Sequence, residues 1–348
     1  MHLEDNSPHN CHYPSRNQAE PRLASSCLTY NYSMKLNALI LTLFALPALA
    51  AEPSSNILFQ VRDTYPQLSP DGTRIVFQSN RTGSEQIWLM NRDGTGVTQL
   101  TDLPGNGAET PAWSRDGEHI AYAVYLGEGN NDVFIMKPDG SDSRQVTSGP
   151  GYDGHPHWSF DGARIVFNSD RDTPDHSAPW NERWHDIWSV RVDGTDATKH
   201  TDCRSVCTYG SLSPDGKTVL YRKVDIEPGL DWWLEAIPKN SEVYVAGRDG
   251  SNARKLSSHP AFDGWPLWSP DGRWVIFASN RGGPARIGQL WLVKPDGEGL
   301  RQLTSGDWGH IQPSFSFSGH QVLAYRYQEF PDREYGGVVS LVLDMDKN

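Results

Sequence analysis

The sequence predicts an all-β fold, a six-bladed β-propeller of four-stranded antiparallel blades, and three observations lead there. A turn phrase stands five times, as Ser69-Pro70-Asp71-Gly72, Ser114-Arg115-Asp116-Gly117, Ser159-Phe160-Asp161-Gly162, Ser213-Pro214-Asp215-Gly216 and Ser269-Pro270-Asp271-Gly272, with a worn sixth copy at Ser316-Phe317-Ser318-Gly319. The turn glycines are 45, 45, 54, 56 and 47 residues apart, the period of a blade-sized unit. No stretch carries helical periodicity.

Each unit builds in the same order. Proline presets φ at the second turn position, aspartate suits the third, and glycine takes the strained conformation that closes the reversal. The first strand should end just before the phrase. The second follows as Arg74-Ile75-Val76-Phe77, His119-Ile120-Ala121-Tyr122, Arg164-Ile165-Val166-Phe167, Thr218-Val219-Leu220-Tyr221 and Trp274-Val275-Ile276-Phe277, while the sixth copy, Gln321-Val322-Leu323-Ala324, lacks the aromatic. A third run (Ile87-Trp88-Leu89-Met90 in the first unit) leads to a second Asp-Gly turn, at Asp93, Asp139, Asp193, Asp249 and Asp296. A short fourth strand should end in Leu100-Thr101, Val146-Thr147, His200-Thr201, Leu256-Ser257 or Leu303-Thr304. Stacking then buries faces that one blade could not shield alone.

The string Pro-x-Trp-Ser-Pro-Asp-Gly, Ile-x-Phe-x-Ser-Asn-Arg, Ile-Trp-x-Met-x-x-Asp-Gly, Leu-Thr resembles the repeat of TolB-type propellers, which are WD-repeat-like. The match is close over residues 66–101 and 266–304 and extends over 57–348. The resemblance implies a non-catalytic scaffold of the cell envelope that docks a protein or peptide partner, with no cofactor. TolB carries an α/β domain before its propeller, and the missing domain sets the expectation of a TolB-type propeller other than TolB itself. The sixth unit has no Leu-Thr ending, so Ile57-Leu58-Phe59-Gln60-Val61 is expected to supply its fourth strand and close the ring.

Met34-Lys35, an apolar stretch from Leu36 to Leu46 and an Ala-x-Ala site predict a secretory signal peptide over 34–50, cleaved between Ala50 and Ala51. The apolar stretch is shorter than the roughly 20 residues of a span, so the mature chain is expected not to cross a membrane. No cysteine stands directly after the cleavage site, which argues against a lipid anchor. Residues 1–33 are polar and patternless, a disordered leader or a mis-assigned start upstream of Met34. Residues 51–348 then form one propeller domain, periplasmic or otherwise exported. The net charge of −12 argues against nucleic acid as a partner. Cys203 and Cys207 lie four apart in one loop of an exported chain and are expected to form a disulfide.

Length varies on one face only, that of the loops between second and third strands and between blades. Insertions run over 168–185 and 222–241, with smaller ones at 126–131, 280–288 and 328–336. Loops on a rigid scaffold carry function, so partner binding is expected there. Trp180, Trp184, Trp232, Trp233 and Trp308 suit contact with a peptide or glycan, or serve as small cores of the loops themselves. Trp88, Trp188, Trp291, Trp113, Trp158 and Trp268 repeat with the period and should pack between blades.

Aligned on the turn, Tyr65, Thr110, His155, Tyr209, Trp265 and Gln312 should ring the channel at one level. Gln67, Ala112, His157, Ser211, Leu267 and Ser314 form the next. Asp63, Asp153, Asp263 and His310 share a level nearer the variable loops, with Glu109 beside it, and could hold a cation or a basic peptide, or simply line a wet channel. His155 and His157, at i and i+2 on a strand, form a candidate pair for a divalent metal. The phrase His155-Pro156-His157-Trp158-Ser159-Phe160 is similar to the metal-site segment of oligogalacturonate lyases, which implies the alternative of a metal-assisted carbohydrate-active propeller. A glycan-binding module without chemistry is a third reading. No Gly-x-Ser-x-Gly elbow is present, and the chain length leaves no room for the hydrolase domain of propeller-bearing peptidases.

Overall fold

A computed structural model describes residues 61–342 apart from 128, 180–181, 226–240, 285 and 331–332. The expected leader, the signal peptide with Ala50 and Ala51, and nearly all of the proposed closing segment lie outside the described residues.

The strands fall into six sheets. The first comprises β1 (Asp63–Leu68), β2 (Arg74–Ser79), β3 (Gln86–Asn91) and β4 (Thr98–Gln99). The second holds β5 (Ala108–Trp113), β6 (Ile120–Gly127), β7 (Asn130–Met136) and β8 (Arg144–Gln145). The third holds β9 (Asp153–Trp158), β10 (Arg164–Ser169), β11 (Asp186–Arg191) and β12 (Thr198–Lys199). The fourth holds β13 (Val206–Leu212), β14 (Thr218–Val224), β15 (Ser241–Gly247) and β16 (Arg254–Lys255). The fifth holds β17 (Asp263–Trp268), β18 (Val275–Ser279), β19 (Gln289–Val293) and β20 (Arg301–Gln302). The sixth has three among the described residues: β21 (Gly309–Phe315), β22 (Gln321–Phe330) and β23 (Arg333–Val342). All neighbours are antiparallel, which gives the expected six-bladed propeller.

The turn phrase works as its chemistry dictates. In the first copy Asp71 Oδ1 accepts from Ser69 Oγ at 2.6 Å and from Thr73 N at 3.0 Å. Arg74 N donates to Ser69 Oγ at 2.9 Å, and Gly72 sits at φ 72°, where only glycine rests without strain. The worn sixth copy replaces the carboxylate by a Ser316–Ser318 hydroxyl contact of 3.1 Å.

The fourth strands are shorter than expected, two residues each, and stop before the Leu-Thr pairs. The threonine has another task. Thr101 Oγ1 accepts Ile87 N–H at 2.9 Å and donates to Gln86 Oε1 at 2.7 Å, pinning the start of β3. Thr147, Thr201, Ser257 and Thr304 repeat this on β7, β11, β15 and β19. The periodic Trp113, Trp158 and Trp268 are buried. Trp158 Nε1 donates to Ala112 O of the preceding blade at 3.0 Å, as expected of inter-blade packing.

Candidate functional site: a neutral axial cavity

The first strand of every blade breaks its ladder at one place. Two residues face one on the second strand between Thr64 and Gln67, and corresponding register shifts recur in all six blades. The first bulged residue lies in the left-handed region each time: Tyr65 at φ 50°, Thr110 at 53°, His155 at 50°, Tyr209 at 54°, Trp265 at 50° and Gln312 at 53°. The following residue is Pro66, Pro111, Pro156, Gly210, Pro266 or Pro313, and an unpaired bulge position is where a missing N–H costs nothing. The channel ring read from the sequence is thus formed by six strained residues. A regular strand, assumed for His155 and His157, is replaced by a bulge.

Both expected levels line one axial cavity of ≈ 100 Å³, His155 and His157 included. A second of ≈ 50 Å³ shares Gln67, His157 and Leu267 and continues among Phe160, Phe317 and Arg115 toward the turn face. The ring is cross-linked by polar contacts. Tyr65 and Tyr209 hydroxyls meet at 3.1 Å, and Gln312 Oε1 accepts Tyr65 N–H at 3.1 Å. The His155 ring lies 4.1 Å from that of Tyr209, and its Nδ1 is 2.7 Å from Asn168 Oδ1. Burial pushes His155 down to about 4, and also lowers His157, whose Nδ1 contacts Trp158 O at 2.9 Å. Both imidazoles are neutral at pH 7. Trp265 packs 5.9 Å from Tyr209 and 5.2 Å from Phe262.

The carboxylates above the ring are engaged within their own blades. Asp63 pairs with Arg81 at 2.7 Å, Asp153 with Arg171 at 2.7 Å and Asp263 with Arg281 at 2.5 Å. Each guanidinium also covers two rings of its blade; Arg171, for example, lies 5.2 Å from Phe167 and 4.9 Å from Trp188. These are internal ion pairs, so the expectation of a convergent acidic funnel gives way to three neutralised latches. His310 is buried, 3.4 Å from Gln289 Oε1, and burial and then Arg326 lower its pKa. Glu109 accepts from Tyr152 OH at 3.0 Å and Asn131 Nδ2 at 3.1 Å, and burial raises its pKa. Among the described residues no group of three or more His, Cys, Asp or Glu is placed to hold a metal.

Of the loop aromatics, Trp308 is half-buried beneath Arg326, whose Cζ lies 4.6 Å from the ring. Trp184 is half-buried in the 168–185 insertion, where its N–H meets Thr173 Oγ1 at 3.1 Å and Arg183 reaches Asp170 at 3.1 Å. Trp180, Trp232 and Trp233 lie outside the described residues. Cys203 and Cys207 form the expected disulfide, with Cα atoms 6.3 Å apart. It holds the top of β13, two residues before Tyr209 of the ring. The sequence reading missed the latch arginines, although Ser-Asn-Arg or Ser-Asp-Arg at 79–81, 169–171 and 279–281 marks them.

Fold and cavity together define a six-bladed propeller around an uncharged axial chamber. Residues 102–227 match the TolB beta propeller domain family. A TolB homolog of Chlorobium luteolum is 35% identical over 106 residues, 30% of this chain and 23% of that protein. Dipeptidyl-peptidase 5 of Porphyromonas endodontalis is 27% identical over 256 residues, 61% of this chain and 36% of that protein. The chain therefore spans about a third or less of these relatives' lengths. Among solved structures, TolB of Acinetobacter baumannii aligns with a TM-score of 0.53 at 22% identity, over 71% of this chain and 54% of that one. An oligogalacturonate lyase in complex with manganese aligns at 0.53 and 18%, over 77% and 75%. Over residues 102–227 the chain is similar to the TolB beta propeller domain, and its fold is a six-bladed β-propeller.

Proposed function

We propose that this propeller is an exported, non-catalytic scaffold that binds a protein or peptide partner of the cell envelope on its variable-loop face. The observation that carries this is one-sided elaboration. Hairpins β6–β7, β14–β15 and β22–β23 continue past the level at which the other blades stop, while the opposite face keeps the same short turns throughout. The TolB-type repeat and the signal-like segment support an exported location. A photoreactive residue at Leu126, 47% exposed on the β6–β7 hairpin, should crosslink the partner in an envelope extract. The same group at Val97 or Leu300, 41% and 45% exposed beside the turns, should not. Crosslinking from the turn side alone would overturn the assignment of the face.

One observation favours a second reading, a metal-assisted carbohydrate-active propeller. His155 and His157 line the same cavity and each engages only its Nδ1, leaving Nε2 toward a ligand. Elemental analysis of protein purified without tag or chelator decides it: about one divalent ion per chain, lost on His155→Ala, would establish the metal site. Hydrolysis of dipeptide p-nitroanilides by the purified chain, the activity suggested by the peptidase-named relative, would likewise sink the non-catalytic reading.

A further inference from the structure

We infer that the propeller axis is a blind socket: Phe160 and Phe317, with Arg115 over the former, plug it at the turn face, and the axial cavity opens only toward the variable loops. The second position of the turn phrase shows how the plug arises. It holds Pro70, Arg115, Phe160, Pro214, Pro270 and Phe317 in the six blades. Each proline points sideways onto the turn glycine of the next blade. A β-carbon on Gly117, Gly272 or Gly319 would lie 3.7, 3.3 or 3.6 Å from Pro70, Pro214 or Pro270. Arg115, Phe160 and Phe317 do not come within 4 Å of a β-carbon on the corresponding Gly162, Gly216 or Gly72. They line the ≈ 50 Å³ cavity on the axis instead.

Their packing reaches across the ring. Phe160 of the third blade packs against the buried cluster that contains Trp268 of the fifth. Phe317 of the sixth packs against the cluster that contains Trp113 of the second. The third and sixth blades stand opposite each other, and Arg115 Cζ lies 5.3 Å from the Phe160 ring centre. Nearer the variable loops the axis carries a lighter closure, the 3.1 Å contact between the hydroxyls of Tyr65 and Tyr209, from the first and fourth blades. The two cavities share Gln67, His157 and Leu267 and so adjoin on the axis between these closures. Parting the two hydroxyls exchanges one hydrogen bond for bonds to water, whereas withdrawing the plug exposes two aromatic rings. Exchange with solvent therefore runs past the tyrosines, on the face that carries the raised hairpins.

The test is the rate at which iodoacetamide alkylates the intact protein carrying Leu267→Cys, a position that lines both cavities. Peptide mass spectrometry separates that thiol from Cys11 and Cys27. Adding Phe160→Pro and Phe317→Pro removes the plug with the residue that three of the turns already carry after the same serine, so the turn geometry is kept. Alkylation of a closed site follows the population of its open form, so the double proline background should react roughly tenfold faster, and Tyr65→Phe about threefold faster. Ala246→Cys, 4% exposed between blades, should stay unreactive in both backgrounds. An unchanged rate with the two prolines overturns the plug, and an unchanged rate with Tyr65→Phe overturns the exit past the tyrosines. Equal acceleration at Ala246→Cys would mark a general loosening of the ring and overturns the inference as well. The crosslink from Leu126 is independent of these outcomes, so loss of the plug leaves the docking reading standing.

Discussion

Odd and even blades share one turn phrase and one bulge, yet they finish their second strands differently. In the first, third and fifth blades, β2, β10 and β18 stop at Ser79, Ser169 and Ser279. There the serine Oγ accepts the latch arginine's Nε, at 3.0, 2.8 and 2.9 Å. The arginine turns in, covers a Phe and a Trp, and neutralises an aspartate on the first strand. In the even blades the aspartate position is Ala108, Cys207 or His310, and the arginine position is Leu126, Asp225 or Gln328. Without a latch the pairing runs on, to Gly127, Val224 and Phe330. The lesson is a division of labour around the ring: three blades close the mouth with internal charge pairs, and three raise hairpins around it.

The sharpest way to break this comparison is to unlatch the fifth blade. Arg281 and Asp263 side chains are 8% and 0% exposed, so Arg281→Met strands a buried carboxylate and should cost about 3–5 kcal/mol in urea unfolding. Next comes the even-blade substitute for a latch. The disulfide joins residues only four apart, and Cys203→Ser should cost about 2 kcal/mol, the low end for a small closed loop. Arg81→Met probes the same latch where the pair is 25% and 28% exposed, and should cost only about 1–2 kcal/mol. If it matched Arg281→Met, burial would not be what gives the latches their strength.

The smallest effect tests the seam between an even and an odd blade. Burial, and then the charge of Asp153, raise Asp132 from 3.8 to about 6. A carboxyl that binds its proton more tightly when folded stabilises the fold below pH 3.8, and that contribution is lost as pH rises through about 6. Asp132→Asn should therefore flatten the stability profile over this window and raise stability at pH 7 by about 1 kcal/mol, once solvent screening is allowed for. Thermal melts at pH 5 and 7.5 check it; an unchanged slope between wild type and variant would place the titration elsewhere.

Much of the fold was legible because it repeats. Turn chemistry is local, so Ser-x-Asp-Gly and the runs after it located the strands, and aligning the copies placed both levels of the cavity lining, from Tyr65 to Ser314. The candidate site was legible only as a list of positions. Asp63, Asp153 and Asp263 looked like a convergent acidic mouth, since a sequence shows charge without showing who neutralises it. Arg81, Arg171 and Arg281 stand 18 residues beyond their aspartates and reach them only by the fold of the hairpin.

By itself, then, the sequence determined the six-fold repeat, the order of strands in each blade, the face that varies, the disulfide and the residues around the axis, all of which depend on short-range pattern. Tertiary structure alone decided the contacts of Tyr65 with Tyr209 and Gln312 and the absence of charged side chains from the cavity lining. Those depend on what converges from different blades. Burial and partnership are properties of the closed ring, and no single repeat contains them.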